Sequence, residues 1–163
     1  MNHVVLFEPE IPQNTGNIIR TCVATNTVLH LIRPLGFMFS ERTFKRFAVN
    51  HFEHLDYRLY DDFDDFFAQN SGRFYFLTRY GEQTPDRCDF ALDAKLPVYL
   101  IFGKESTGLP EAVRTAYPGH CFRLPMTDKV RSLNLANTVA IVLYEALRQQ
   151  HYPGLHLTEP VRD

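Results

Sequence analysis

The chain has 163 residues, 45% of them hydrophobic and 22% charged, which suits one soluble globular domain with a sizeable core and excludes extended disorder. Its formal charge of −2 excludes a uniformly basic nucleic-acid binder, but not one whose positive charge is gathered on one face. The three cysteines, Cys22, Cys88 and Cys121, are widely spaced in no metal-ligand pattern, so reduced thiols are expected rather than disulfides or a zinc site.

The N-terminal apolar stretch Met1 to Phe7 is short, lacks a basic start and runs into Glu8 and Pro9, so no secretory signal is expected. No apolar run approaches the roughly 20 residues of a membrane span, and a cytoplasmic location is expected. The first predicted strand covers 4–7, followed by a helix over 14–24 that Asn14 or Thr15 can cap. A strand over 28–32, a helix over 41–47 and a further strand candidate near 55–59 come next. A helix over 63–68, strands over 74–77 and 98–102, a helix over 110–116, a strand over 121–124 and a helix over 133–149 complete the pattern. There is no internal repeat or composition break. The alternation predicts a single α/β domain over residues 1–163, a mostly parallel sheet flanked by helices, with a short C-terminal tail from about 153.

Several chemical-looking segments have plain readings. Asp61, Asp62, Asp64 and Asp65 surround Phe63, Phe66 and Phe67, whose i, i+3, i+4 spacing marks a buried helical face; the aspartates are then a solvated acidic face. His51 and His54 have no matching ligands at a metal-site spacing and are read as surface histidines; no metal is expected. The segment 103–108 is bounded by glycines but lacks the Lys-Ser/Thr of a phosphate-binding loop, and neither G-x-G-x-x-G nor G-x-S-x-G occurs.

Three loops stand out. Glu8 to Thr21 follows the first strand directly, restrained by Pro9 and Pro12, and carries Asn14 and Arg20; read alone, Arg20 is a surface arginine or a salt-bridge partner. Leu100 to Pro110 runs from an apolar strand into a polar turn between Gly103 and Gly108, glycines that allow close backbone approach; Glu105 could be simply a carboxylate at the start of the next helix. Leu124 to Asn137 includes Ser132, a natural helix cap, and Asn134. The helix after it has two apolar seams, Leu133/Ala136/Ala140/Leu143/Leu147 and Leu135/Val139/Val142/Ala146, which favours packing against both the sheet and a second subunit.

Pro12-Gln13-Asn14-Thr15-Gly16-Asn17-Ile18-Ile19-Arg20, Phe102-Gly103-Lys104-Glu105-Ser106-Thr107-Gly108-Leu109 and Arg131-Ser132-Leu133-Asn134-Leu135-Ala136-Asn137, in this order, resemble the motifs of the SPOUT methyltransferases. Within that class they resemble the small YibK/TrmL type, which methylates the 2′-oxygen of the tRNA wobble nucleotide, cytidine or modified uridine. The resemblance runs from Val4 to about Gly154. It implies a C-terminal deep trefoil knot, a homodimer with active sites near the subunit interface, and S-adenosylmethionine (AdoMet) as methyl donor. The matching donor-binding positions are Leu77, Gly103, Leu124 and Ser132. Arg20 and Glu105 match the catalytic polar residues, while Asn14, Asn134 and Tyr144 match positions tied to site assembly or RNA contact.

Arg42, Lys45 and Arg46 lie at i, i+3 and i+4, a basic helical face suited to tRNA phosphates, which Arg33, Arg123, Lys129 and Arg131 extend. The competing expectations are a ribosomal-RNA 2′-O-methyltransferase and a non-catalytic RNA- or AdoMet-binding protein on the same fold.

Overall fold

The computed structural model describes residues 1–44, 52–91 and 96–159. In chain order it contains β1 (Asn2–Phe7), α1 (Pro12–Ala24), β2 (Val28–Ile32), α2 (Glu41–Phe44), β3 (Tyr57–Tyr60), α3 (Phe63–Gln69), β4 (Arg73–Leu77), β5 (Val98–Phe102), α4 (Glu111–Ala116), β6 (Cys121–Phe122) and α5 (Leu135–Gln149). Single 3-10 turns occur at Phe52–His54 and Pro85–Arg87.

All six strands are parallel, in the order β3-β2-β1-β5-β4-β6. β1, β2 and β5 are buried along their whole length, as the near-continuous apolar runs of an interior parallel sheet require. Alternation along β1 sends Val4 and Leu6 into a core shared with α1 and α5, and Val5 and Phe7 into a second core with Phe63 and Phe66 of α3. The chain builds outward from β1 to β3, then crosses to the other half, where β5 enters between β1 and β4. The strand order therefore reverses at the β1–β5 pair, and their C-terminal ends open a crevice there.

The expected helix starts shift. α1 begins at Pro12, whose missing N–H and fixed φ suit the first helical position, so Asn14 and Thr15 lie buried inside the helix instead of capping it. α5 begins at Leu135, and its cap is Asn134, whose Oδ1 accepts from Ala136 N at 2.9 Å and Asn137 N at 3.3 Å; Ser132 lies before the helix. β6 stops at Phe122 because Arg123 and Leu124 leave the sheet towards the crevice. α2 accounts for 41–44 of the expected 41–47 helix, while Lys45, Arg46 and His51 lie outside the described residues.

The two seams of α5 do not face two partners. Ala136, Val139, Val142, Leu143, Ala146 and Leu147 are all buried in the same core against α1 and the sheet. The exposed stripe consists of Asn137, Ile141, Tyr144 and Arg148, and Ile141 and Tyr144 are 46% and 47% exposed. The acidic segment is as expected: Asp62 caps α3 by accepting from Asp65 N at 2.8 Å, with Phe63 and Phe66 buried. Cys22 and Cys88 are buried free thiols, and burial raises both pKa values, that of Cys88 to about 11.

Between the sheet and α3 lies a buried polar chain. His3 Nδ1 and His30 Nε2 are 2.8 Å apart, His30 Nδ1 meets Tyr60 Oη at 2.9 Å, Asn70 donates to Tyr60 Oη at 3.1 Å, and Tyr99 donates to Asn70 Oδ1 at 3.2 Å. Neutral imidazoles suit this chain, because each His–His and His–Tyr contact needs one donor and one acceptor, which either direction of donation along it supplies. Among the described residues no helix is long and apolar enough to cross a membrane, and no group of three or more His, Cys, Asp or Glu could hold a metal.

Candidate active site

Loops following β1, β4, β5 and β6 converge beyond the crevice and enclose a cavity of about 750 Å³, within the range of small-molecule sites. Its wall combines apolar Leu77, Phe102, Leu109 and Leu124 with polar Asn14, Glu105, Ser132 and Asn134. Gly103 forms part of this wall because nothing larger fits. A Cβ there would lie 2.2 Å from the carbonyl carbon of Gly108, whose own N–H donates to Lys104 O at 2.9 Å to close the turn. Gly108 has a φ of +75°, a conformation glycine adopts without strain.

Glu105 is the hub of the site. Its carboxylate accepts from Glu10 N at 2.9 Å, Ile11 N at 3.3 Å and Asn14 Nδ2 at 3.0 Å. Asn14 Oδ1 in turn accepts from Asn134 Nδ2 at 2.8 Å, so one chain of hydrogen bonds joins the three sequence motifs. α1 has no side-chain cap of its own. The Glu105 carboxylate, brought from a loop far along the chain, sits where orphan N–H groups and the helix dipole favour negative charge.

Two further clamps fasten the same loops. Lys104 Nζ donates to Glu8 Oε2 at 2.7 Å, which raises the lysine pKa; Glu8 itself is in a left-handed conformation at φ 45°. Ser106 N and Oγ donate to the two Glu10 oxygens, each at 2.8 Å, and these bonds lower the Glu10 pKa. The first and second motif loops are thus tied at three carboxylates. Glu8, Glu10 and Lys104 carried no signal in sequence, since their roles depend on long-range pairing.

The structure brings Asn14, Leu77, Gly103, Glu105, Leu124, Ser132 and Asn134 to the cavity wall. It does not bring Arg20, Arg42 or Tyr144 there. Arg20 is exposed on α1, and no described bond joins it to Glu105. Arg42 is exposed on α2, and Tyr144 lines a separate hollow with Asn26, Tyr152 and Leu155. Lys45 and Arg46 lie outside the described residues. Of the other basic residues, Arg123 and Arg131 line the cavity, whereas Arg33 pairs with Asp61 at 2.8 Å. Sequence reasoning missed Thr78, Arg79 and Tyr80. The available signal was their position directly after a strand of the parallel sheet.

The model of the SpoU rRNA Methylase family matches residues 1–144. A protein of Geobacillus stearothermophilus described as a putative tRNA (cytidine(34)-2′-O)-methyltransferase is 51% identical over 154 residues, covering 94% of this chain and 98% of the relative. A solved structure concerned with 2-OH methylation of C/U34 on tRNA superimposes with a TM-score of 0.84 at 43% identity, covering 91% of this chain and 95% of that one. The AdoMet-bound rRNA methyltransferase of Sinorhizobium meliloti superimposes with a TM-score of 0.78 at 27% identity, covering 90% of this chain but 56% of that one.

Proposed function

We propose, from the premise that this chain belongs to the SpoU rRNA Methylase family, that it is an AdoMet-dependent tRNA methyltransferase acting on the 2′-oxygen of the wobble nucleotide, position 34, a cytidine or modified uridine. The observation that carries this reading is the convergence of the three motif loops, joined through Glu105, Asn14 and Asn134, on one cavity. The ribosomal alternative is weaker: the rRNA enzyme is 27% identical and shares 56% of its length, against 51% and 98% for the tRNA-named relative.

The cavity residues fit AdoMet. Its volume is adequate, and the bare backbone at Gly103 permits an approach that any side chain would block. Leu77, Gly103, Leu124 and Ser132 would hold the cofactor, which when bound supplies a methyl group made electrophilic by its sulfonium. The protein's own task is to align the ribose 2′-oxygen behind that carbon, positioning that can lower a barrier by about 7–11 kcal/mol. Glu105 acts by fixing the loops, since its two oxygens already accept from three N–H groups that belong to the first motif. Arg20 stabilises the developing alkoxide or anchors the neighbouring phosphate, because a guanidinium with pKa above about 12 is a poor base. Asn14, Asn134 and Tyr144 serve site assembly or RNA contact, and Arg42, Lys45 and Arg46 contact tRNA phosphate.

Arg20 does not line the cavity of its own chain, so catalysis by it requires a homodimer in which it serves the partner's site. Gln13, Asn17 and Arg20 form an exposed stripe on α1, and α1 packs on α5, whose exposed stripe carries Ile141 and Tyr144. This pair of stripes is the proposed interface. The C-terminus forms a trefoil knot. In support, α5 leaves edge strand β6 yet packs at the centre of the sheet, and segment 85–90 straps its end: Gln149 Nε2 donates to Pro85 O at 3.4 Å and Phe90 N to Gln149 Oε1 at 2.9 Å. One domain spans residues 1–163, with the tail from about 153, and works in the cytoplasm with its tRNA.

The test is transfer of a labelled methyl group from AdoMet to bulk tRNA from a strain lacking this protein, followed by nucleoside mapping. A 2′-O-methylated nucleotide 34 is expected. No incorporation into tRNA alongside incorporation into ribosomal RNA would overturn the assignment. Arg20→Ala should abolish turnover with AdoMet affinity retained; weakened AdoMet binding would remove Arg20 from the chemistry.

A further inference from the structure

The turn after β4 carries an arrangement that the proposed chemistry leaves unused. Tyr80 is 54% exposed at the cavity rim, and two guanidinium groups lie over its ring, Arg79 at 4.7 Å and Arg114 at 4.2 Å from the centroid. Arg79 Nη2 also donates to the Tyr80 hydroxyl. The turn itself is rigidly placed. Thr78 N donates to Phe122 O at 3.0 Å and Gly81 N to Thr78 O at 3.1 Å, while a Cβ at Gly81 would meet the Phe122 backbone at 2.2 Å. Arg114 reaches the same ring from α4, a separate element, so two distant segments deliver cations to one spot.

Like charges brought together this way repel unless something offsets them. Arg33, Arg73, Arg87 and Arg148 are each paired with a carboxylate, whereas neither Arg79 nor Arg114 has an ion-pair partner among the described residues. Arg114 Nε is buried with no hydrogen-bond partner among the described residues. Stacking on an aromatic face orients a guanidinium without itself using N–H donors, so Arg79, apart from the N–H given to the Tyr80 hydroxyl, and Arg114 keep donors for an anion. Arg123 and Arg131 add positive charge to the same cavity wall, in a chain whose net charge is −2. Four guanidiniums with no ion-pair partner among the described residues, Arg79, Arg114, Arg123 and Arg131, thus gather around one cavity, an arrangement suited to a polyanion.

We propose that Arg79, Tyr80 and Arg114 form a phosphate clamp that grips the RNA backbone beside the nucleotide entering the cavity. This inference rests on the reading of the chain as an RNA methyltransferase. Tyr80 is the scaffold, and the two guanidiniums take phosphodiester oxygens, fixing register without reading base identity. Two unpaired guanidiniums at an exposed rim suit successive phosphates of one strand better than the single carboxylate of the methyl donor.

The experiment measures binding of the whole protein to fluorescently labelled tRNA as salt is raised from about 50 to 200 mM, beside calorimetric AdoMet binding, for the wild type, Arg79→Gln and Arg114→Gln. Each substitution should weaken tRNA binding about 5–10-fold at the lower salt and reduce the slope of log affinity against log salt by about one. AdoMet affinity should stay within twofold, and the melting temperature of Arg79→Gln, an exposed-loop variant, should not move. Unchanged tRNA affinity and slope in both variants would overturn the clamp while leaving the methyltransferase reading intact. Loss of AdoMet affinity with an unchanged slope would overturn it too, by assigning the guanidiniums to the methyl donor's carboxylate. A wild type that neither binds tRNA nor transfers methyl to it would instead overturn the functional reading and the clamp with it.

Discussion

The clasp around Glu105 and the histidine network around His30 are both assembled from polar side chains far apart in sequence, yet they meet water differently. Glu105 is half-buried on the wall of an open cavity, and its partners are the loop N–H groups of Glu10 and Ile11 and the Asn14 amide in the first turn of α1. His30 is fully buried among strands, stacked on Tyr60 and edge-on to Phe66. A clasp at a cavity edge can yield to a ligand at modest cost. A buried network between the sheet and α3 has little access to exchange partners, so its contribution is to the uniqueness and stability of the fold. Placement at the topological switch, rather than the number of hydrogen bonds, separates the functional network from the structural one.

The change that breaks the cavity side most completely is Gly103→Ala. The added carbon falls 2.2 Å from Gly108 backbone, so the turn must open and the Glu105 carboxylate must shift. Methyl transfer should fall by more than about 1000-fold, since small misplacements of positioning groups already cost about 100-fold. Calorimetry should show AdoMet binding lost while the circular dichroism spectrum stays native. Retained AdoMet affinity would mean that this wall does not hold the methyl donor.

Acid should break the other network instead. Burial lowers the His3 pKa from 6.5 to about 4, helped by the N-terminal amine and Arg58 and opposed by Asp56. Burial likewise lowers that of His30 to about 3, helped by the charges of His3 and Arg58. The unfolded chain then binds more protons than the folded one below pH 6.5, so stability is intact at pH 7 and falls as pH drops towards 4. At about pH 5 the loss should approach 2 kcal/mol per imidazole, measured by urea denaturation. His3→Gln should remove about half of that dependence. A flat profile between pH 7 and 5 would show that the two imidazoles do not contribute in this way.

Glu105→Ala, the direct counterpart on the cavity side, should lower turnover about 100-fold and move the melting temperature by only a few degrees, because the group is half-exposed and its loops retain the Lys104–Glu8 and Ser106–Glu10 clamps. Glu105→Gln separates positioning from proton transfer. If Glu105 only positions, the acidic limb of the pH–rate profile persists in this variant at reduced height. Disappearance of that limb would make Glu105 the base.

The comparison also explains what could be read from sequence. Strands 28–32 and 98–102 were legible to the residue because interior parallel strands are uninterrupted apolar runs bounded by turns. Three of the four cavity loops were legible because their polar residues sit directly after such runs. Helix starts were not: α1 is capped by a carboxylate from another loop, and that partner is invisible to local sequence. The seams of α5 misled because a helix lying between α1 and the sheet buries a half-cylinder, which mimics two separate faces. The histidine network left no trace, since His3 and His30 occupy ordinary strand positions and only the parallel register brings them together.

Asn134 offers the smallest and most discriminating effect, because it carries a structural and a site function on one amide. Its Oδ1 caps α5, while its Nδ2 donates to Asn14 and so extends the Glu105 clasp. Asn134→Ala removes both and should cost about 1 kcal/mol of stability, the usual worth of a cap, together with activity. Asn134→Ser keeps an acceptor for the helix N–H groups but cannot reach Asn14 with an amide. Its melting temperature should return to within a degree or two of the wild type, while turnover stays reduced. If stability and turnover recover together in Asn134→Ser, the Asn14 link is not part of the site, and the clasp ends at Glu105.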